Sequence, residues 1–148
     1  MNYQNYALGE WITGDGKGTP LYNAITGEEI GKASSKGLDF NQMMVHARTV
    51  GGLALRKMTF QKRGLMLKAL ALHLHSVKDK FYQLSYATGA TKIDSWIDIE
   101  GGIGNLFANS SLRRQFPDLS FYVDGEAARL SKEGTFIGHH IMVPKEGV

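Results

Sequence analysis

Five histidines, a group of carboxylates, an arginine pair and one glycine-rich run are the parts of this 148-residue chain that could do chemistry. Paired histidines could ligate a metal or carry a proton. His139 and His140 are adjacent in an extended stretch, so they point to opposite faces and cannot share one ion. His73 and His75 stand two apart in a helical pattern and diverge as well. His46 stands alone. Asp94, Asp98 and Glu100 could form an acid–base pair. Asp94 and Asp98, however, lie one turn apart where a helix begins, and negative charge there complements the helix dipole. Arg113 and Arg114 read as a solvated surface. The run Gly14-Asp15-Gly16-Lys17-Gly18 lacks the spacing and the closing Lys-Ser/Thr of a phosphate loop, so it reads as a hairpin turn. The chain has no cysteine, which excludes disulfides, thiolate metal sites and a cysteine nucleophile within it. No Ser-His-Asp set can be chosen. The expectation is therefore no catalytic, no cofactor-binding and no metal residue in this chain.

The elements that would position these residues centre on Thr59–Thr88, predicted to be one long helix. Thr59 supplies an N-cap without a reciprocal box, and Gly89 ends the helix in a left-handed cap. Phe60, Leu67, Leu70, Leu74, Val77, Phe81 and Leu84 form its stripe. Leu65, Ala69 and Leu72 give the first half a second apolar side, so that half should be covered on two faces. A shorter helix spans Leu38–Val50, capped by Ser35 or Asp39 and ended by Gly51-Gly52. A third is predicted over Asp94–Asn109 and contains Gly101, Gly102 and Gly104. Each costs about 1 kcal/mol in a helix interior. Close approach of the Thr59–Thr88 helix to this glycine face would compensate, and leucine at Gly101 or Gly104 would then destabilise the fold; the alternative is a helix broken at the glycines into two pieces.

Tyr6–Lys32 reads as a strand–turn–strand unit at a sheet edge, since Pro20 is out of place in a central strand. Leu119–Val123 and Ala127–Leu130 are short extended pieces. Thr135–Val143 alternates and is the best strand, stopped by Pro144. Lys145–Val148 looks like the start of another strand, as though the sequence were cut there. The fold class expected is α+β, three main helices packed with N- and C-terminal β-hairpins.

Hydrophobic content of 43% and a charged fraction of 21% are those of a globular protein. A net charge of +3 is a mild excess. Lys62, Arg63, Lys68, Lys78 and Lys80 are spread around their helix without interleaved exposed aromatics, so no nucleic-acid partner is expected. No signal-peptide pattern and no membrane span is read, and the cytoplasm is the default location.

Several segments together resemble the opening of the aldehyde dehydrogenase superfamily. GEW followed by NAITGEEIG is similar to its N-terminal hairpin, with Ala24 at the usual proline position. Leu53–Thr59 with Arg63 and Leu67 resembles its second-helix entry. Ala87-Thr88-Gly89-Ala90-Thr91 resembles its Glu-Thr-Gly-Lys-Pro segment, with Ala87 replacing the acid. Within the superfamily, MTFQKRGLMLKALALHL, ATGATKIDSWIDIEGGIGNLF and LSKEGTFIGHHIMVPKEGV are similar to the bifunctional ring-opening proteins of bacterial phenylacetate degradation. The resemblance implies that residues 1–148 are the N-terminal portion of an aldehyde dehydrogenase domain whose parent is α/β. It further implies a parent that opens oxepin-CoA and oxidises the resulting semialdehyde with NADP or NAD, with an enoyl-CoA hydratase domain downstream. The cysteine nucleophile, glutamate base, oxyanion-hole asparagine and nicotinamide loop of that family have no position here. The chain alone is thus expected to be inactive and to bind no cofactor. Its expected work is scaffolding, with the remainder of the parent and a homo-oligomer formed through the 119–143 arm as partners. A stand-alone structural or interaction module is the alternative, and a small basic nucleic-acid binder a distant third.

Overall fold

The computed structural model describes residues 1–145 as an α+β arrangement of helices and three antiparallel two-stranded sheets. The predicted strand start near the C-terminus falls on residues 146–148, outside the described residues, and Lys145 itself is irregular.

The N-terminal region holds two hairpins where one was expected. Strands β1 (Asn5–Ala7) and β2 (Glu10–Ile12) pair with Ala7 opposite Glu10. Their turn is Leu8-Gly9, both with positive φ, the geometry that matches strand twist in two-residue hairpins. Strands β3 (Thr19–Tyr22) and β4 (Glu29–Ala33) form the second hairpin. The Gly14–Gly18 run joins the two hairpins and is not itself a hairpin turn. It is pinned by Ser34, whose hydroxyl donates to the Asp15 carbonyl at 2.7 Å.

Helix α1 (Phe40–His46) is capped by Asp39, whose carboxylate accepts from the Gln42 amide. Gly51-Gly52 does not end the helical run. The backbone widens into a π-helical stretch, Ala47–Gly52, and continues as α2 (Leu53–Arg56). Gly52 keeps right-handed helical angles, φ −60° and ψ −44°, so the glycines pass the helix on and do not cap it.

The predicted long helix is two. Helix α3 (Phe60–Ser76) starts at Thr59, whose hydroxyl accepts from the Lys62 amide, and α4 (Lys78–Tyr86) follows a single break. Val77, at φ −114° and ψ 9°, leaves the helical region and turns α4 onto the third helix. Gly89 has φ 83°, as a left-handed cap residue requires. Helix α5 (Lys92–Ser111) runs unbroken through its glycines, and a tight 3-10 turn, Leu112–Gln115, follows. Its N-terminus carries a capping box: the Thr91 hydroxyl accepts from the Asp94 amide, and the Asp94 carboxylate accepts from the Thr91 amide.

Helices α3 and α5 pack along each other. The approach is close because α3 presents Gly64, and α5 with its following turn presents Ser110 and Arg113. A Cβ on Gly64 would lie 2.6 Å from Arg113 Cβ and 2.9 Å from the Ser110 carbonyl oxygen. The glycines of α5 do not make this contact. Ideal Cβ atoms on Gly101, Gly102 and Gly104 meet nothing within 4 Å. Ile103 is buried, whereas Gly101 and Gly104 are exposed and turned away from it. Among the described residues the buried hydrophobic side chains are Ala7, Ala71 and Ile103. Leu65 and Leu72 of α3 are half exposed, so the predicted second cover on that helix is not supplied among the described residues.

The C-terminal hairpin joins β5 (Tyr122–Arg129) to β6 (Ile137–Met142). The two predicted short pieces merge into one strand, kinked by a bulge between Asp124 and Ala128 where Gly125 has φ 72°.

Candidate functional site

Two features stand out from the helix pair: a polar junction between α4 and α5, and the root and blade of the C-terminal hairpin. At the junction, Lys78 Nζ lies 2.7 Å from Glu100 Oε1, and the Tyr82 hydroxyl donates to the same oxygen at 3.2 Å. The hydrogen bond to Glu100 raises the Lys78 pKa above its ordinary value, and the hydrogen bond from Lys78 lowers that of Glu100. Burial, then the bond to Glu100, raises Tyr82. Beneath them the Ser85 and Ser95 hydroxyls meet at 2.9 Å, with Ser95 fully buried. The mutual satisfaction of these groups makes the junction a brace. Glu100 is held ionised, so it is poorly suited to take up protons near neutral pH.

The hairpin root is fixed to the start of α3. Phe60 stacks on Phe116 with ring centroids 4.8 Å apart, and both meet Tyr122 edge-on. The Phe60 amide donates to the Leu119 carbonyl at 3.0 Å. The Thr59 hydroxyl donates to the Asp118 carboxylate. The side-chain amide of Gln61 donates to the carbonyls of Arg113 and Phe116. Beyond this root the blade carries Phe121, Val123, Leu130, Phe136, Ile137, Ile141 and Val143, each more than half exposed. An exposed, unpaired strand edge with apolar faces is a template for association.

The residues singled out above fall into separate places. His139 and His140 lie on β6, both exposed, and His140 stands opposite Asp124 in the strand register. His46, His73 and His75 are dispersed over α1 and α3. Asp94 serves the α5 cap, Asp98 is exposed, and Glu100 belongs to the brace. No group of three His, Asp or Glu placed to hold a metal occurs among the described residues. Arg113 is not the solvated residue expected. It packs on Gly64, and its guanidinium donates to the Ser110 carbonyl at 2.7 Å. Periodicity carries no signal for the Lys78–Glu100 bridge, because the partners are 22 residues apart on different helices. Among the described residues no helix is long and apolar enough to cross a membrane.

No protein-family model matches the chain. Over its whole length it is similar to an N-terminal part of an enzyme of the aldehyde dehydrogenase superfamily. That relative is the 3,4-dehydroadipyl-CoA semialdehyde dehydrogenase of Aromatoleum evansii, 32% identical over 149 aligned residues that take in 100% of this chain. The chain spans 29% of the length of the relative. What the chain is similar to is thus part of a dehydrogenase, and that relative is an oxidoreductase.

Proposed function

We propose that the chain is the scaffolding and subunit-contact portion of an NAD(P)-dependent aldehyde dehydrogenase. The parent in this reading is the bifunctional ring-opening enzyme of phenylacetate catabolism, an α/β enzyme of the cytoplasm, which oxidises a CoA-thioester semialdehyde with NADP. The observation that carries the reading is the mismatch between a helix pair with very few buried apolar side chains and a hairpin that leaves its apolar residues uncovered. Burial of that surface is worth about 25 cal/mol per Å². The remainder of the parent would cover the outer side of α3, and a partner subunit would pair with the 119–143 arm by strand addition.

The residues present do not fit a nicotinamide cofactor. The glycine-rich run at Gly14–Gly18 leads into strand β3 and opens no helix, so it offers no helix N-terminus for a pyrophosphate. With no cysteine, no thiohemiacetal can form on this chain. In this reading hydride transfer and its nucleophile are the work of the remainder of the parent.

The test is aldehyde oxidation with NADP+ by the purified 148-residue chain, beside a reading frame that continues past Val148 to a later cysteine. Turnover should appear only in the longer protein. Turnover by the short chain would refute the division of labour. A stop codon at position 149 of the natural gene would favour a stand-alone module.

A further inference from the structure

The β5–β6 ladder ends at Met142, yet the chain beyond it is still held. Arg63, in the first turn of α3, does the holding. Its Nη1 donates to the Lys145 carbonyl at 2.9 Å, across 82 residues of sequence. Its Nη2 donates to the Leu55 carbonyl in the last turn of α2. Phe121, Val143 and Pro144 line the groove beside the guanidinium. The remaining donor, Nε, is buried and meets no hydrogen-bond partner among the described residues.

Arg63 is not an ordinary surface cation. Hydrogen bonds from an ionised donor are stronger than neutral ones. Carbonyls at a helix C-terminus carry partial negative charge, so the Leu55 carbonyl favours a cation. A guanidinium spans two acceptors with a rigid planar fork, which an ammonium cannot copy. A buried N–H without a partner is costly, so the two carbonyls, and not saturation of the side chain, set the orientation. Pro144, just before Lys145, has no amide hydrogen with which to extend the ladder. We infer that Arg63 is a latch. It fastens the chain leaving the C-terminal hairpin to the junction of α2 and α3, and this exit opens only when Arg63 lets go. The latch rests on contacts within the chain and is independent of the enzymatic reading. Where that reading holds, Arg63 is the residue that positions the sequence following Lys145.

The sequence carries an internal control. Lys145-Glu146-Gly147 repeats Lys132-Glu133-Gly134, and the earlier copy lies in the turn between β5 and β6. Lys132 and Lys145 are both exposed. Trypsin must take the carbonyl of the lysine it cleaves after into its oxyanion hole, and at Lys145 that carbonyl is the one Arg63 holds. Cleavage of a folded chain follows the population in which the bond is released. Cutting at both sites of the 148-residue chain is followed by mass spectrometry, with each rate divided by that of an unstructured peptide of the same local sequence. Arg63→Met should speed the cut after Lys145 about tenfold and leave the cut after Lys132 within about twofold. Arg63→Lys, which keeps the charge and loses the fork, should fall between Arg63→Met and the unsubstituted chain. An unchanged rate after Lys145 overturns the latch. An equal rise at both sites in both variants overturns it too, since Arg63 would then support the fold as a whole.

Discussion

Lys78 Nζ sits 2.7 Å from Glu100 Oε1, and this bridge fastens α4 to α5 just beyond the break at Val77. The signs of its two shifts define where it acts. Glu100 is lowered from 4.5, so its contribution is present above that value and is lost as pH falls through the lower folded pKa. Lys78 is raised from 10.5, so its contribution is present below that value and is lost as pH rises through the higher folded pKa. The bridge thus supports the fold across the interval between. Glu100→Gln should lower the melting temperature at pH 7 and lower it less at pH 3, as followed by circular dichroism. An equal drop at both pH values would show that the carboxylate charge is not the cause.

Gly64 and Gly101 should respond oppositely to the same change. Gly64→Ala places a methyl 2.6 Å from Arg113 Cβ and should cost about 1–3 kcal/mol. Gly101→Ala meets nothing within 4 Å and should gain up to about 1 kcal/mol from helix propensity. Urea unfolding of the two variants gives the ranking. The reverse order would mean that α5 faces α3 with its glycines after all.

Gln61 donates to two carbonyls at 2.6 and 2.8 Å and holds the segment that leads into the hairpin. Gln61→Ala should cost about 1–3 kcal/mol, since two part-buried acceptors lose their partner. Amide hydrogen exchange around Phe116–Tyr122 should speed up in step. Unchanged protection there would assign the anchoring to the aromatic stack alone.

Leu8 adopts φ 55° in the first hairpin turn, a conformation that asparagine or glycine tolerates better than leucine. Leu8→Asn should stabilise the chain by up to about 1 kcal/mol. A lower melting temperature would show that the leucine side chain contributes more than the turn strain costs.

Local chemistry was the most legible part of the sequence. Thr59, Asp39 and Gly89 each cap or end a helix where their side chains or backbone freedom predicted. The Thr135–Val143 alternation led to β6 within two residues at each end. The break at Val77 carries no glycine or proline signal, and just beyond it Lys78 meets Glu100 on another helix. The glycines of α5 misled because periodicity tells that residues share a face and is silent on which neighbour that face meets. Gly64, the residue that does allow close packing, is a single small residue in an apolar stretch and has no pattern of its own. Spacing alone put Asp94 at a helix start. It did not place the Lys78–Glu100–Tyr82 brace, which is a product of tertiary packing.

The stacked rings of Phe60, Phe116 and Tyr122 make the hairpin a rudder whose post is the start of α3 together with the segment that follows α5. Whatever grips the far end of that rudder inherits a heading set by a helix it never touches.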